Sequence, residues 1–397
     1  MSKSEKKTES QPTAAPGSSV IKTIAIGVLL LVLGGVLLRN HLFQPAMYDT
    51  LGQTMGTDYH VSVCAESSWG WERTGVAIEN ELLRVNQMMS VFLTDSEISQ
   101  FNDNPSIDWV EVSPELVKLV KLSKEVSQRV DGKFDITVGP LVDLWGFGAK
   151  QKKRTTLPTQ ADIEKALSIA GLDKLEYRES PPALKKAVPE LRVNLSGVAK
   201  GYGVDCVAAL LEKRGYTNYM IEIGGETRTR GHKVVTQEKT GWLSFFSSEK
   251  MNVPWAIGIK RPIPEGLFGL PIIELSVNLN DHAMATSGDA YSTWEIEGQR
   301  YTHIIDPTSG KAVQPLGFGI EIEGEEVGSV SVIAPTCAEA DAFATGFYLL
   351  GAEKGIATAD ANGLAVAYLI RTGELVTPVR VIMSEAFKKS YCPEHSN

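Results

Sequence analysis

Hydrophobic and polar residues follow two different periods along this chain. Strict alternation predicts a β-strand at Tyr59–Val63, and apolar residues spaced three and four apart predict a helix at Glu72–Met89. Further helices are predicted after Ser113, Thr159 and Thr336, whose side chains suit the N-cap position. Further strand patterns occur at residues 191–195, 219–222, 255–260, 272–279, 329–333, 364–370 and 376–383. Because strands and helices mix without regular βαβ alternation, the pattern predicts one α+β body.

A long apolar run precedes this body. Residues 1–19 are polar, and the residues from Val20 to Leu38 are almost all apolar. This run is long enough to span a bilayer. Lysines are concentrated before the run, so the predicted topology is a cytoplasmic tail at 1–19 and a single-pass inner-membrane anchor at 20–38. A tether at 39–48 then leads to a periplasmic domain at 49–385 and a polar tail at 386–397. No lipobox cysteine and no clear cleavage site follow the run, which favours an uncleaved anchor and leaves cleavage as the alternative.

The composition narrows the classes of function. With 397 residues, 43% hydrophobic and 22% charged, the chain has the composition of a globular protein, and its net charge of −9 argues against a nucleic-acid partner. Four cysteines at 64, 206, 337 and 392 are too far apart in sequence for a zinc or dithiol motif. A disulfide between Cys64 and Cys392 in an oxidising compartment remains open.

A hairpin near the middle of the chain carries a candidate catalytic histidine. Two strands, Tyr291–Glu297 and Arg300–Ile305, are predicted with Gly298-Gln299 as the turn, because glycine tolerates the positive φ of the first turn position. This register places Trp294 opposite His303. His303 is then either a base at a strand end or a packing partner of Trp294, and this segment alone leaves both roles open.

Two further segments suggest anion and cation binding. A small-residue turn at Ser196-Gly197 precedes a helix, so free amides and the helix dipole favour an anion there, and Lys200 adds a positive charge. Asp341 and Thr345 lie at i and i+4 of another helix, where their oxygens could hold Mg²⁺ or could simply form a solvated face. Glycines beside aromatics at Trp145–Gly148 indicate either a flat ligand wall or a loop packed by its own rings.

Taken in order, the motifs resemble those of the ApbE family, the FAD:protein FMN transferases. The resemblance covers Tyr48 to about Arg380, and each motif is short, so its strength lies in nine occurring in sequence. The motifs are Met55-Gly56-Thr57, Asp95-Ser96-Glu97-Ile98, Phe134-Asp135-Ile136-Thr137, Trp145-Gly146-Phe147-Gly148, Ala199-Lys200-Gly201, Ile223-Gly224-Gly225, Ala285-Thr286-Ser287-Gly288, His303-Ile304-Ile305-Asp306-Pro307 and Ala340-Asp341-Ala342 followed by Thr345.

The resemblance implies a mixed α/β body of the T-fold-like ApbE type and an enzyme that splits FAD, attaches FMN to a threonine or serine hydroxyl of a protein, and releases AMP. It implies Mg²⁺ held by Asp341, Thr345 and the backbone carbonyl of Ala199, with His303 as the base. Asp306 either orients His303 or forms the following turn, and the turn role is favoured. For FAD, the resemblance points to Met55, Trp145, Lys200, Asp205, Glu222, Thr286, Ser287 and Gly288.

The implied partners are FAD and membrane redox proteins. Target subunits of a sodium-pumping NADH:quinone oxidoreductase or a related electron-transfer complex fit a membrane-anchored flavin transferase. Two alternative functions share the same motifs: a Mg²⁺-dependent FAD pyrophosphatase that releases free FMN, and a non-catalytic FAD-binding protein.

Overall fold

The computed structural model describes residues 23–32, 45–149, 154–238, 248–262, 272–288, 293–315, 325–373 and 379–392. The strands are β1 (Ala46–Thr54), β2 (Thr57–Ala65), β3 (Val110–Glu111), β4 (Leu175–Glu179), β5 (Pro182–Lys186), β6 (Tyr219–Ile223), β7 (Glu226–Arg230), β8 (Lys233–Glu238), β9 (Ser248–Val253), β10 (Ala256–Lys260), β11 (Ile273–Asn278), β12 (Ala283–Gly288), β13 (Thr293–Ile296), β14 (Gln299–Thr302), β15 (Glu326–Ala334), β16 (Ala365–Arg371) and β17 (Val379–Met383).

The helices include a stretch at residues 23–32, which lies within the predicted anchor. Those of the folded body are α1 (Trp71–Met89), α2 (Glu97–Asp103), α3 (Pro114–Arg129), α4 (Gly139–Trp145), α5 (Gln160–Ile169), α6 (Ala199–Lys213), α7 (Cys337–Leu350), α8 (Ala352–Asn362) and α9 (Glu385–Tyr391). The predicted α+β class is therefore confirmed.

An eight-stranded sheet organises the body. Its strand order is β1-β2-β6-β7-β12-β15-β16-β17, and its neighbouring strands pair antiparallel. Because side chains alternate between the two faces of a sheet, the position of each residue within its strand decides which layer it contacts. This alternation later separates the predicted site residues into two groups.

The two faces of the sheet pack against different layers. On one face, Val61 and Ile221 pack with residues of α1 and α6, and Val330 packs with residues of α3 and α7. On the other face, Met284 and Leu369 pack with the β10–β11 hairpin and with residues of α9. Strands β15 and β16 are buried almost throughout, which explains why they read as continuous apolar runs. We call the first side the helix face and the second the hairpin face.

The predicted helix starts are confirmed. The hydroxyl of Ser113 accepts a hydrogen bond from the amide of Leu116, and Thr159 forms a complete capping box with Asp162. The Thr336 hydroxyl accepts from the amide of Glu339 at the start of α7. Each cap satisfies an amide that the first turn of a helix leaves without a partner.

One predicted strand is wrong. Residues 191–195 are extended but belong to no ladder. Instead, the side-chain amide of Asn102 brackets Val193, donating to its carbonyl at 2.8 Å and accepting from its N–H at 2.7 Å. An amide side chain has one donor and one acceptor in the right spacing to imitate a neighbouring strand, and a periodicity argument cannot detect it.

The register of the β13–β14 hairpin also differs from the prediction. The turn is Glu297-Gly298, and both residues have positive φ, 54° and 76°, as a type I′ turn requires. Trp294 therefore pairs with Tyr301, and His303 lies beyond the paired strand. The predicted pairing of Trp294 with His303 is wrong, because the turn comes one residue earlier than the one that was predicted.

The two ends of the chain bear on the predicted boundaries. Within the described parts of the chain, no helix is long and apolar enough to cross a membrane. Residues 20–22 and 33–38 of the predicted anchor lie outside the described residues, and the tether overlaps β1, which begins at Ala46. The predicted polar tail at 386–397 overlaps α9, and Phe387 and Cys392 are completely buried.

Candidate active site

The candidate active site forms where α6 and α7 approach each other on the helix face of the sheet. At Gly201 the helices are so close that a side-chain Cβ would lie 2.6 Å from the carbonyl carbon of Cys337 and 2.8 Å from the amide nitrogen of Ala338. The amide of Gly201 donates to Oδ2 of Asp341 at 3.0 Å. The absence of a side chain at Gly201 thus allows the start of α6 to contact the first turns of α7.

The three predicted metal ligands lie in this region. Asp341 is 3% exposed on α7, and Thr345 lies one turn further along. Ala199 is the first residue of α6, two positions before the Gly201 amide that contacts Asp341. One carboxylate, one hydroxyl and one backbone carbonyl are hard oxygen donors, and this donor set fits Mg²⁺ when phosphate oxygens and water complete the coordination. No cluster of three or more His, Cys, Asp or Glu suited to a metal occurs within the described residues.

A buried charge cluster lies beside these oxygens. The ammonium of Lys200 lies 2.5 Å from Oε1 of Glu226, whose side chain is 2% exposed. Burial alone would lower the pKa of Lys200, but the carboxylates of Glu226 and Asp341 more than offset it, so the pKa lies above its ordinary value. Burial raises the pKa of Asp341, and the Lys200 ammonium and the Gly201 amide oppose that rise. Lys200 is therefore a cation held at the site.

Glu226 was missed by the sequence analysis, which selected Glu222 instead. Glu222 pairs with His60 on the hairpin face of the sheet and accepts a bond from the Gly225 amide at 2.5 Å. Glu226 pairs with Ile223 across the Gly224-Gly225 turn, which places it on the helix face beside Lys200. Glu222 therefore lies on the opposite face of the sheet from Lys200, and its assignment to the FAD site stays a prediction. The alternation of Ile221 and Ile223 with Glu222 was the signal that could have found Glu226.

The second oxygen of Glu226 marks the site as polar and buried. Its Oε2 atom is inaccessible to solvent and has no hydrogen-bond partner among the described residues. An unsatisfied buried carboxylate oxygen costs free energy, and burial correspondingly raises the pKa of Glu226 while Lys200 opposes that rise. Such a group is characteristic of a functional site rather than of an apolar core.

Asp205 connects α6 to the start of α7. Its Oδ1 atom contacts Arg228 at 2.5 Å and accepts from the Cys337 amide at 3.0 Å, while Oδ2 accepts from the Ala338 amide at 2.9 Å. These are the first amides of α7, where a carboxylate is stabilised by the helix dipole. Asp205 thus joins α6 to α7 through both carboxylate oxygens, and its role in FAD binding stays a prediction.

The strand β12 divides the predicted Thr286–Gly288 run between the two faces. The hydroxyl of Ser287 lies 3.4 Å from that of Thr345, on the helix face. Thr286 pairs with Ser331, and their hydroxyls are 2.8 Å apart on the hairpin face. Since side chains i and i+2 share a face, Gly288 also belongs to the hairpin face. Ser287 therefore lies on the same face as Thr345 and the Thr286 side chain on the other, and the assignment of the run to FAD binding stays a prediction.

Met55 lies in a turn beside α6, whereas Trp145 is buried elsewhere in the body. Met55 is in the β1–β2 turn with φ of 50°, and its Cε lies 3.1 Å from where a Cβ of Gly203 would be, beside α6. Trp145 is only 4% exposed, donates from its indole to the Gly310 carbonyl at 2.8 Å, and packs on Tyr301. Trp145 is thus packed against neighbouring residues, as in the alternative of a loop packed by its own rings, and its ligand-wall role stays a prediction.

The His303 loop follows β14 and is bound to the rest of the body. His303 is exposed, and the loop turns at Asp306, which accepts bonds from the amide and hydroxyl of Thr308 at 3.0 and 2.7 Å. Lys133 donates to the same Asp306 oxygen at 2.9 Å. Burial alone would raise the pKa of Asp306, but Lys133 and the loop hydroxyls hold it below its ordinary value. The favoured turn role of Asp306 is confirmed.

Comparisons with known proteins identify relatives of this chain. The sequence profile of the ApbE family matches residues 55–369. The FAD:protein FMN transferase of Haemophilus influenzae is 36% identical over 348 residues, covering 85% of this chain and 90% of the relative. That of Vibrio cholerae is 35% identical over 347 residues, covering 87% and 94%.

Solved structures show the same similarity in three dimensions. The flavin transferase ApbE from Vibrio cholerae superposes with a TM-score of 0.71 at 33% identity, covering 87% of this chain and all of that one. The apo flavinyl transferase ApbE of Pseudomonas stutzeri has a TM-score of 0.71 at 29% identity, covering 88% and 98%. The structural resemblance therefore extends over most of the chain.

Proposed function

Because the chain belongs to the ApbE family, we propose that it is an FAD:protein FMN transferase that joins FMN to a threonine or serine hydroxyl of a target protein. Its relatives carry that name, and they align over nearly their whole length. One observation on this chain supports the proposal most strongly. The oxygen donors Asp341 and Thr345 lie on α7, in the same region between α6 and α7 as the Lys200 cation. A pyrophosphate needs such a combination of cation sites and anion-binding groups.

The proposed reaction is a displacement at phosphorus. The hydroxyl oxygen of the acceptor forms a bond to the flavin-side phosphorus of FAD, and the bond from that phosphorus to the bridging oxygen breaks. AMP leaves with the bridging oxygen, and the hydroxyl proton passes to the imidazole of His303. The products are an FMN phosphoester on the target and AMP, so no oxidant or further co-reactant is required.

Protein residues supply the binding and orientation in this scheme. Asp341, Thr345 and the Ala199 carbonyl would hold Mg²⁺, which neutralises pyrophosphate charge when bound. Lys200 holds a positive charge beside them, and Glu226 anchors that ammonium at 2.5 Å. The exposed position of His303 suits a base that must receive a hydroxyl from another protein.

The test mixes purified full-length protein with FAD, Mg²⁺ and a threonine-containing target protein. We expect flavin fluorescence on the target band of a denaturing gel. His303→Ala should abolish this fluorescence, because loss of a general base lowers the rate of transfer by about 10²–10⁴-fold. The affinity of this variant for FAD should remain within about threefold of the wild type, since the base acts in the chemical step. Release of free FMN without labelled target would establish the pyrophosphatase instead. FAD bound without turnover would establish a non-catalytic binding protein.

The membrane attachment and the target class form a second part of the proposal. The apolar run from Val20 to Leu38, with lysines before it, supports an inner-membrane anchor that leaves the body in the periplasm. An enzyme so anchored would meet redox subunits of a membrane complex, such as a sodium-pumping NADH:quinone oxidoreductase. Extraction of membranes with alkaline carbonate tests the anchor: the full chain should stay in the pellet, and its appearance in the supernatant would contradict attachment.

A further inference from the structure

Side chains of the body make hydrogen bonds to two places on the loop that carries His303, in addition to the packing of the buried Ile304 and Ile305. At its far end, the Trp145 indole donates to the Gly310 carbonyl at 2.8 Å. At its centre, the Lys133 ammonium lies 2.9 Å from Oδ1 of Asp306 and 2.8 Å from the Thr308 hydroxyl. The Lys133–Asp306 contact joins residues 173 positions apart, whereas the Thr308 contacts to Asp306 are local to the loop. Lys133 is thus a long-range attachment of the turn that follows His303.

The residue next to Lys133 forms part of a wall beside the turn at the start of α6. Phe134 is 3% exposed, and its Cε2 atom lies 3.0 Å from where a Cβ of Gly197 would be. The Thr345 hydroxyl lies 3.3 Å from the same point. Phe134 and Thr345 therefore both border the turn at the start of α6. A movement of Lys133 would change the spacing between this wall and the His303 loop.

The Lys133–Asp306 ion pair is partly buried, as expected of a contact that holds a loop in one position. Both side chains are 23% exposed, so solvent screens the pair less than it screens a surface ion pair. Charge-assisted hydrogen bonds are shorter and stronger than neutral ones, and the four hydrogen bonds that the Asp306 carboxylate accepts leave it little freedom. The local bonds shape the turn, and Lys133 sets where the turn lies.

We propose that Lys133 is a positioning residue for the transfer reaction: acting through Asp306, it holds the His303 loop at a fixed distance from the wall formed by Phe134 and Thr345. This inference rests on the proposed function and extends it to a residue outside the metal and FAD groups. A base acts only within hydrogen-bond reach of the proton that it takes, so a displaced loop slows the chemical step while FAD can still bind.

The test compares the full-length wild type with Lys133→Met, Lys133→Arg and Asp306→Asn. For Lys133→Met we expect kcat to fall by about 10- to 100-fold, as a displacement of about 1 Å can cause, with the KM for FAD within about twofold. Lys133→Arg keeps the charge and should recover kcat to within about fivefold of the wild type. The double variant Lys133→Met, Asp306→Asn should be no slower than the slower single variant, because both act through one contact.

Lys121→Met is the matched control. Lys121 lies on α3, and its ammonium is 2.7 Å from a carboxylate oxygen of Glu179. The Lys121 side chain is 44% exposed and that of Glu179 is 62% exposed, so the loss of this surface ion pair should leave kcat unchanged. A thermal melt of each variant separates loss of fold from loss of position.

Three outcomes would overturn the inference: an unchanged kcat in Lys133→Met, a failure of Lys133→Arg to recover activity in a folded protein, or additive effects in the double variant. A wild type without transfer activity would overturn the proposed function and this inference together. An active wild type beside an unaffected Lys133→Met would overturn this inference alone.

Discussion

Lys200, Glu226 and Asp341 make the candidate site depend on a balance of buried charges. Two carboxylates that are almost completely buried share the neighbourhood of one ammonium, and one oxygen of Glu226 has no hydrogen-bond partner among the described residues. Removing one member of a buried charge group is more costly than replacing the whole group, because the remaining charge stays desolvated. The cluster is therefore stable only as a unit.

Lys200→Met should destabilise the protein by about 3 kcal/mol, because it leaves Glu226 without its partner. The loss should grow as pH rises. Burial raises the pKa of Glu226 above its ordinary value of 4.5, so the folded state binds more protons than the unfolded state above that value, and stability falls with increasing pH until the folded pKa is passed. Urea unfolding between about pH 5 and pH 9 measures this slope.

The double variant Lys200→Met, Glu226→Leu is the control for this prediction. It removes the carboxylate that the single variant leaves without a partner, so much of the lost stability should return. The free energy of unfolding should also depend less on pH. A single variant as stable as the wild type at every pH would contradict the account of the cluster.

Sequence patterns located this cluster only in part. Lys200 and Asp341 were found from their motifs, but Glu226 was not, and Glu222 was chosen four residues away. Which of the two glutamates faces Lys200 depends on how residues alternate between the faces of the sheet on each side of the Gly224-Gly225 turn. This alternation can be assigned only once the position of the turn is known. The contacts of Asp205 could not be predicted for another reason: its partners Cys337 and Ala338 lie more than 130 residues away, and no local pattern reveals them.

At the scale of elements, the close approach of α6 and α7 is what brings the oxygens proposed to hold Mg²⁺ into one region. The approach depends on Gly201, whose position faces backbone atoms of Cys337 and Ala338 rather than flexible side chains. Backbone cannot move aside as a side-chain end can, so an added methyl group would push the helices apart.

Gly201→Ala should therefore destabilise the protein by about 1–3 kcal/mol and raise the Mg²⁺ concentration needed for half-maximal turnover. Gly75→Ala on α1 is the control, since its Cβ would meet the side-chain oxygen of Thr50 at 3.3 Å, and alanine favours the helix. Thermal melting and a Mg²⁺ titration of activity measure the two effects. Equal Mg²⁺ dependence in both variants would show that helix spacing does not govern the site.

Elements with strong local signals were predicted well, and those that depend on distant partners were not. The caps of α3, α5 and α7 follow from side chains within three residues of each helix start. The turn of the β13–β14 hairpin was misplaced by one residue, because Glu297 adopts a positive φ that sequence preference assigns to glycine. The one-residue error removed Trp294 from its predicted contact with His303.

For the whole molecule, the order of nine short motifs was more informative than any single one. The motifs lie on strands, helices and turns, and their chain positions differ by up to about three-quarters of the sequence. Periodicity predicts each element but not their assembly, since the strand order brings β12 between β7 and β15. The resemblance supplied the assembly, and the fold and the relatives confirm it.

The central claim is that this chain transfers FMN from FAD to a protein hydroxyl, and the ratio of the two products tests it most directly. Target protein incubated with FAD, Mg²⁺ and the full-length enzyme would be analysed by mass spectrometry for FMN-modified threonine or serine, with AMP quantified in the same sample. The account predicts one AMP for each flavin attached to the target, and neither product above background with His303→Ala. AMP accompanied by free FMN, or modified target without AMP, would contradict it.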